Sequence, residues 1–239
     1  VNERQLRGEF TNLEKVFAMN PATPRGMEEI AAAIQQYIVQ LPHVGKPLPK
    51  VWVRVRSALE NYSAHCNYIT LQKYRDLCCT SQLTDPEQQD ILSRYLHDLG
   101  VILHFHDDDS LKHYVILKPE WGTAAVYKAL DTKEVRENYG RFTRDQLNTI
   151  WSDSEYCNMQ NELLRLMINF KLCYGIPGRP NHYIAPQLLG IDQLEYELGD
   201  GPKLLLRYRY DFMPKGILTS LIVGLHKYLK DQRLVWKTG

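Results

Sequence analysis

The chain has 239 residues, of which 24% are charged, with a formal net charge of +1. No bulk charge draws it to nucleic acid or to a membrane surface, and no run of about 18 apolar residues offers a spanning helix. The first residues, VNERQLRGEF, lack the apolar core of a secretion signal. Cys66, Cys78, Cys79, Cys157 and Cys173 form no Cys-x-x-Cys pair. An odd, unpatterned set fits a reducing, cytoplasmic setting better than a disulfide scaffold. The chain begins at Val1 and stops at Gly239, and both ends read as cut from something longer.

Residues 1–19 read as a helix carrying Leu6, Phe10 and Leu13, followed by a short strand at 15–19. Thr23 and Pro24 fit the N-cap and first position of a second helix. Its stripe is Met27, Ile30, Ile34, Tyr37, Ile38 and Leu41. Pro42, Pro47 and Pro49 with Gly45 mark a domain edge. A third helix resumes with Val51, Val55, Leu59 and Tyr62.

The next part repeats itself. Tyr68-Ile69-Thr70 leads a helix with Tyr74 and Leu77 inward, and Arg141-Phe142-Thr143 leads another with Leu147 and Ile150 inward. Both threonines fit N-caps. A second helix follows in each half, with Leu92, Leu96 and Leu99 in the first and Leu163, Leu166 and Phe170 in the second. Each half then enters a hairpin. The first alternates over 101–105, turns at Asp107-Asp108-Asp109-Ser110 and returns at 114–117. The second spans 172–185 and ends, like the first, at a proline. The fold class expected is α+β: tandem winged-helix-like helix-helix-hairpin modules at about 50–130 and 131–192, then the start of a further α+β subdomain. Past Gly199-Asp200-Gly201-Pro202, a strand at 204–210 sets Leu204, Leu206, Tyr208 and Tyr210 on one side and Arg207 and Arg209 on the other. A helix with Leu218 and Leu221 follows Pro214, and 233–237 reads as a last strand.

Three chemistries compete for these motifs. A winged helix that reads DNA would present the second helix and wing of the first module. From Asp85 to His113 that surface carries seven acids against two bases, which repels phosphates where affinity needs cations. A metal-dependent enzyme would use His104, His106 and His113 on the hairpin, but no fourth ligand is fixed. No nucleophile or phosphate-loop motif occurs. An interface is the better fit: Tyr208 and Tyr210 opposite Arg207 and Arg209 are the residue types that dominate binding energetics. With Leu218 and Leu221 they make the face expected to meet a partner.

Leu41-Pro42, Leu48-Pro49 and Trp52, then LHDLGVILHF, then Pro119, Trp121, Val126 and Tyr127, resemble in order the COR region of Roco proteins. In that family COR follows a Ras-like GTPase domain, Roc. The resemblance implies that residues 1–41 are the end of Roc, 42–192 the first COR subdomain and 193–239 an incomplete second one. It implies a non-catalytic regulatory and dimerisation segment that couples the GTP/GDP state of Roc to association of two chains. The partners implied are the Roc domain of the same chain and a second Roco chain in a homodimer, with no nucleic acid and no membrane. The resemblance places GTP or GDP and Mg²⁺ in the parent protein, with no cofactor, metal site or catalytic residue in this chain. Asn20, Pro21 and Ala22 match the guanine loop, where Ser-Ala-Lys is usual. Proline there lacks an N–H to offer the base, so this remnant departs from the pattern.

Overall fold

The computed structural model describes residues 3–20, 25–41, 44–45, 47–192, 195, 207–210, 213–214, 216–229 and 235–237. It divides into two units, Val1–Pro49 with Tyr208–Phe212, and Lys50–Arg207 with Met213–Gly239.

In the first unit, helix α1 (Glu3–Glu9) carries an Arg7–Glu3 pair one turn apart. Arg7 also donates to the carbonyls of Leu13 and Glu14, which folds the following chain back on the helix. Helix α2 (Met27–Ile38) starts behind Gly26, not behind Thr23, which lies outside the described residues. Gly26 sits at φ 87°. A Cβ there would stand 2.6 Å from the Ala18 carbonyl oxygen, so only glycine fits this entrance. The strand expected at 15–19 is not formed. Strand backbone needs a paired neighbour, and none lies beside it among the described residues.

The second unit is α+β. Helix α3 (Lys50–Ser63) buries Val55 and Leu59. Strand β1 (Tyr68–Thr70) runs into α4 (Leu71–Thr80), which is followed by α5 (Pro86–Asp98) and strand β2 (Tyr114–Ile116). Helix α6 (Pro119–Leu130) and the short α7 (Lys133–Glu137) lead to β3 (Arg141–Thr143), α8 (Arg144–Ile150) and α9 (Gln160–Asn169). A hairpin, β4 (Tyr174–Gly175) and β5 (His182–Ile184), closes this half, and α10 (Gly216–Leu225) follows Pro214. The expected strand at 233–237 is absent over the described Val235–Lys237, where the Lys237 N–H donates to the Gly190 carbonyl.

Local chemistry sets the helix starts. The Thr70 hydroxyl accepts from the Lys73 N–H, and Thr143 forms a capping box with Gln146. Asp85 caps α5, with Pro86 in the first turn. The first half holds a two-stranded sheet and the second a three-stranded one. β1 pairs antiparallel with β2 through Ile69 and Val115, and Leu103 bridges Ile116 on the other edge. In the second half β5 lies between β3 and β4. The strand expected at 101–105 shrinks to that one bridge. The chain beyond Leu103 is taken up by side-chain bonds instead: His104 to Ser93 and Lys112, and Asp108 to the backbone of Ser110 and Leu111.

Two cores result. One gathers Val55, Leu59, Tyr74, Leu92, Leu96 and Val115. The other gathers Trp121, Val126, Leu147, Trp151, Leu163 and Met167. The sequence places α6 in the first module, but its buried face, from Trp121 to Leu130, belongs to the second core. A smaller cluster joins Ile222 and Val223 of α10 to Tyr174, Ile184 and Leu189.

Candidate interaction surfaces

In the acidic turn of the first hairpin Asp107 and Asp109 are exposed, but Asp108 is not. Asp108 is 7% exposed, and its carboxylate is bound at 2.5 Å by Arg165 Nε and at 3.0 Å by Asn169 Nδ2, both from α9. The N–H groups of Ser110 and Leu111 also donate to it, at 2.9 and 3.0 Å. Burial by itself would raise its pKa. The hydrogen bonds from Arg165, Asn169 and the two amides outweigh that and hold it at about 2. A carboxylate satisfied on every side pins the first hairpin to the second helix pair.

His104 beside it is structural. His104 is 2% exposed. Its Nε2 lies 3.0 Å from the Lys112 carbonyl, which only accepts, so the proton sits on Nε2. Nδ1 therefore accepts from the Ser93 hydroxyl at 2.7 Å. Burial, chiefly, depresses its pKa to about 4. With both ring nitrogens engaged by the protein, His104 has none to give a metal. The His106 ring lies tilted at 46° against it, centroids 3.9 Å apart, and its own pKa is lowered, first by burial and then by Arg94. Among the described residues, no group of three or more His, Cys, Asp or Glu side chains is arranged to hold an ion. Cys78 is fully buried, which pushes its thiol up to about 11, while Cys79 is exposed.

The expected partner face is found only in pieces. Residues 204–206 lie outside the described residues, and Arg207–Tyr210 form no strand. All four are exposed, Tyr208 at 77% and Tyr210 at 49%. Over the described Arg207–Tyr210, therefore, the expected division into a buried aromatic side and a basic side is not seen, and no strand pairs with them among the described residues. Tyr208, Arg209 and Tyr210 fall in the first unit, and Arg207, Leu218 and Leu221 in the second. Leu218 packs into the small cluster behind α10, whereas Leu221 is 52% exposed. Asn20 is exposed, and Pro21 and Ala22 lie outside the described residues.

Sequence reasoning missed the Asp108 tie. Its one legible trace is the spacing of Arg165 and Asn169, four apart and hence on one helix face, but nothing local names the acid they meet.

Comparison with known proteins agrees with this architecture. The family model "C-terminal of Roc, COR-A domain" matches residues 49–189, and "C-terminal of Roc, COR-B domain" matches 201–239. A Roc-COR-CHAT protease from an unknown prokaryotic organism is 27% identical over 98% of this chain, and one from Runella zeae is 25% identical over all of it. The chain spans 22% and 26% of those two proteins. The probable serine/threonine-protein kinase pats1 of Dictyostelium discoideum is 20% identical over 96% of this chain, which spans 8% of it. The solved Roc-COR structure of Methanosarcina barkeri Roco2, bound to GDP, superposes with a TM-score of 0.59 at 28% identity, covering 79% of this chain and 59% of that one. No described helix is long and apolar enough to cross a membrane. Two COR matches in tandem, over a chain whose folded halves follow the same order, make this protein a member of the COR family of Roco proteins.

Proposed function

We propose that this chain is a non-catalytic regulatory and dimerisation segment of a Roco GTPase, coupling the GTP or GDP state of an adjacent Roc domain to association between chains. The observation that carries this reading is continuity. Similarity to Roc-COR proteins runs across 98% of the chain, so it includes residues ahead of the COR-A match at 49–189. On this reading residues 1–41 are the end of Roc, 42–192 the first COR subdomain and 193–239 the start of the second. The two repeated halves are winged-helix-like, a label supported by their shared order of strand, two helices and paired return strands. The packing of α6 favours drawing the second half from Pro119. Nucleotide and Mg²⁺ belong to the parent protein, with Asn20, Pro21 and Ala22 as a reduced guanine loop. Five cysteines outside any disulfide support a cytoplasmic setting.

Association is assigned to Tyr208, Arg209 and Tyr210 in the first unit and, separately, to Arg207, Leu218 and the exposed Leu221 in the second. The exposure of the two tyrosines supports this, since an aromatic left in water gains by burial against a partner. The test uses the complete Roc–COR protein, with dimer mass and GTP turnover as readouts. Tyr208→Ala with Tyr210→Ala should weaken the dimer on the order of thirty-fold, about 2 kcal/mol, or alter turnover while folding stays intact. Unchanged mass and unchanged turnover would remove this face from consideration.

A further inference from the structure

Residues 104–112 form a strap that runs from the Leu103–Ile116 bridge towards β2. Its own backbone bonds are those of local turns: the Asp108 N–H donates to the Phe105 carbonyl, and the Lys112 N–H to the Asp108 carbonyl. Side chains fasten it to its neighbours. On the α9 side Arg165 and Asn169 hold Asp108. On the α5 side the hydrogen bonds found among the described residues both spend the lone pair of an imidazole. The Ser93 hydroxyl donates to His104 Nδ1 at 2.7 Å, and the His104 backbone N–H donates to His97 Nδ1 at 3.2 Å. A neutral imidazole has one such lone pair, and it is where a proton adds. The two bonds answer that proton differently. A hydroxyl can turn and accept, so the Ser93 bond survives in reverse. A backbone N–H cannot turn, so the bond to His97 is lost outright.

We infer that this contact is an acid-sensitive latch: a proton on His97 Nδ1 releases the His104 end of the strap from α5, while Asp108 keeps the far end on α9. His97 is half-buried and lines a pocket of about 520 Å³ between α5, the strap and α9. Histidine is the side chain that takes up a proton between about pH 8 and pH 5. Charges line the same pocket from each side. From α5, Arg94 opposes a further positive charge and Asp98 favours it. From the strap, Asp107 favours it, and burial disfavours a competing charge on His104 and His106. From α9, Arg165 opposes it but is neutralised by Asp108. That leaves one cation against two exposed carboxylates, a balance that permits the charge. Asp108, with its pKa at about 2, stays ionised throughout, so the α9 tie does not respond. A strap without a ladder of backbone bonds can open apart from the cores.

The test follows the ¹⁵N-labelled full chain by NMR from about pH 7.5 to about pH 5. At the upper end the His97 ring should carry its proton on Nε2, and the His104 amide should be protected from solvent exchange. As His97 titrates, that protection should fall about tenfold or more, after correction for the pH dependence of exchange itself. Ser110 and Leu111, whose N–H groups rest on Asp108, should keep theirs. His97→Gln supplies an amide oxygen that accepts but does not titrate, and should make protection of the His104 amide independent of pH. The inference is overturned if His97 takes up a proton with no change at the His104 amide, or takes up none over this range. Loss of protection at Ser110 and Leu111 in step with His104 also overturns it, as does a His97→Gln variant that keeps the response of the unsubstituted chain.

Discussion

Asp108 ties together residues 57 and 61 positions apart in the chain. Asp108→Ala would leave two turn amides and Asn169 without their acceptor, at a cost of about 2 kcal/mol in urea unfolding. Arg165→Ala should cost less than about 1 kcal/mol, because the arginine side chain is 45% exposed and water screens its share. Equal losses in the two variants would mean that the ion pair, and not the turn, is what matters. His104 makes a second prediction at this scale. Its pKa falls from the ordinary histidine value of 6.5 to about 4 in the fold. Between those values the unfolded chain binds a proton that the folded chain refuses, so stability declines as pH drops through this window. Asp108 acts lower, from 3.8 down to about 2, where protonation removes its stabilising bonds. Thermal midpoints measured from about pH 7 to pH 4.5 should therefore fall, and His104→Gln should flatten that slope. A slope unaltered by the substitution would assign the acid sensitivity to another group.

At the scale of elements, the repeated halves rest on the same devices in unequal quality. Thr70 makes a single cap bond, while Thr143 and Gln146 satisfy each other reciprocally. Thr143→Ala should cost about 1–2 kcal/mol and Thr70→Ala about 1 kcal/mol, by urea unfolding of each variant. A larger loss at Thr70 would contradict the reciprocal box. The turn into β3 depends on Gly140 at φ 78°, where a Cβ would lie 2.4 Å from the Ala185 carbonyl oxygen. The obstacle is backbone, so it cannot swing aside. Gly140→Ala should lose about 2 kcal/mol or more and loosen β3 from β5, seen as faster amide exchange at Phe142 and Ile184. Intact protection there would show that the turn relaxes without disturbing the sheet.

At the scale of the second unit, the two cores share an element. Val115 and Leu117 enter the first core, and Ile116 between them enters the second. One short segment thus serves both, because alternate residues of a strand face opposite ways. With the Asp108 tie beside it, this makes the halves unfold together. Trp52 packs on the first core, and Trp151 is wholly buried in the second. Variants retaining only one or the other of these tryptophans should give coincident urea transitions by fluorescence. Midpoints separated by about 1 M would mean two independent modules.

Most of the helices, the caps at Thr70 and Thr143 and the COR likeness were legible from residues alone. A threonine cap, a proline in the first turn or a glycine at a helix end acts over three or four positions, and so leaves its mark in local spacing. The reading failed where an outcome depended on groups far apart. Arg207–Tyr210 alternates like a strand yet forms none among the described residues, since alternation supplies a face but not the neighbour that must pair with it. The assignment of α6 to the second core and the burial of an aspartate inside an acidic run were decided only by tertiary structure. Each is settled by which distant surface arrives to exclude water and by which polar groups that surface brings with it.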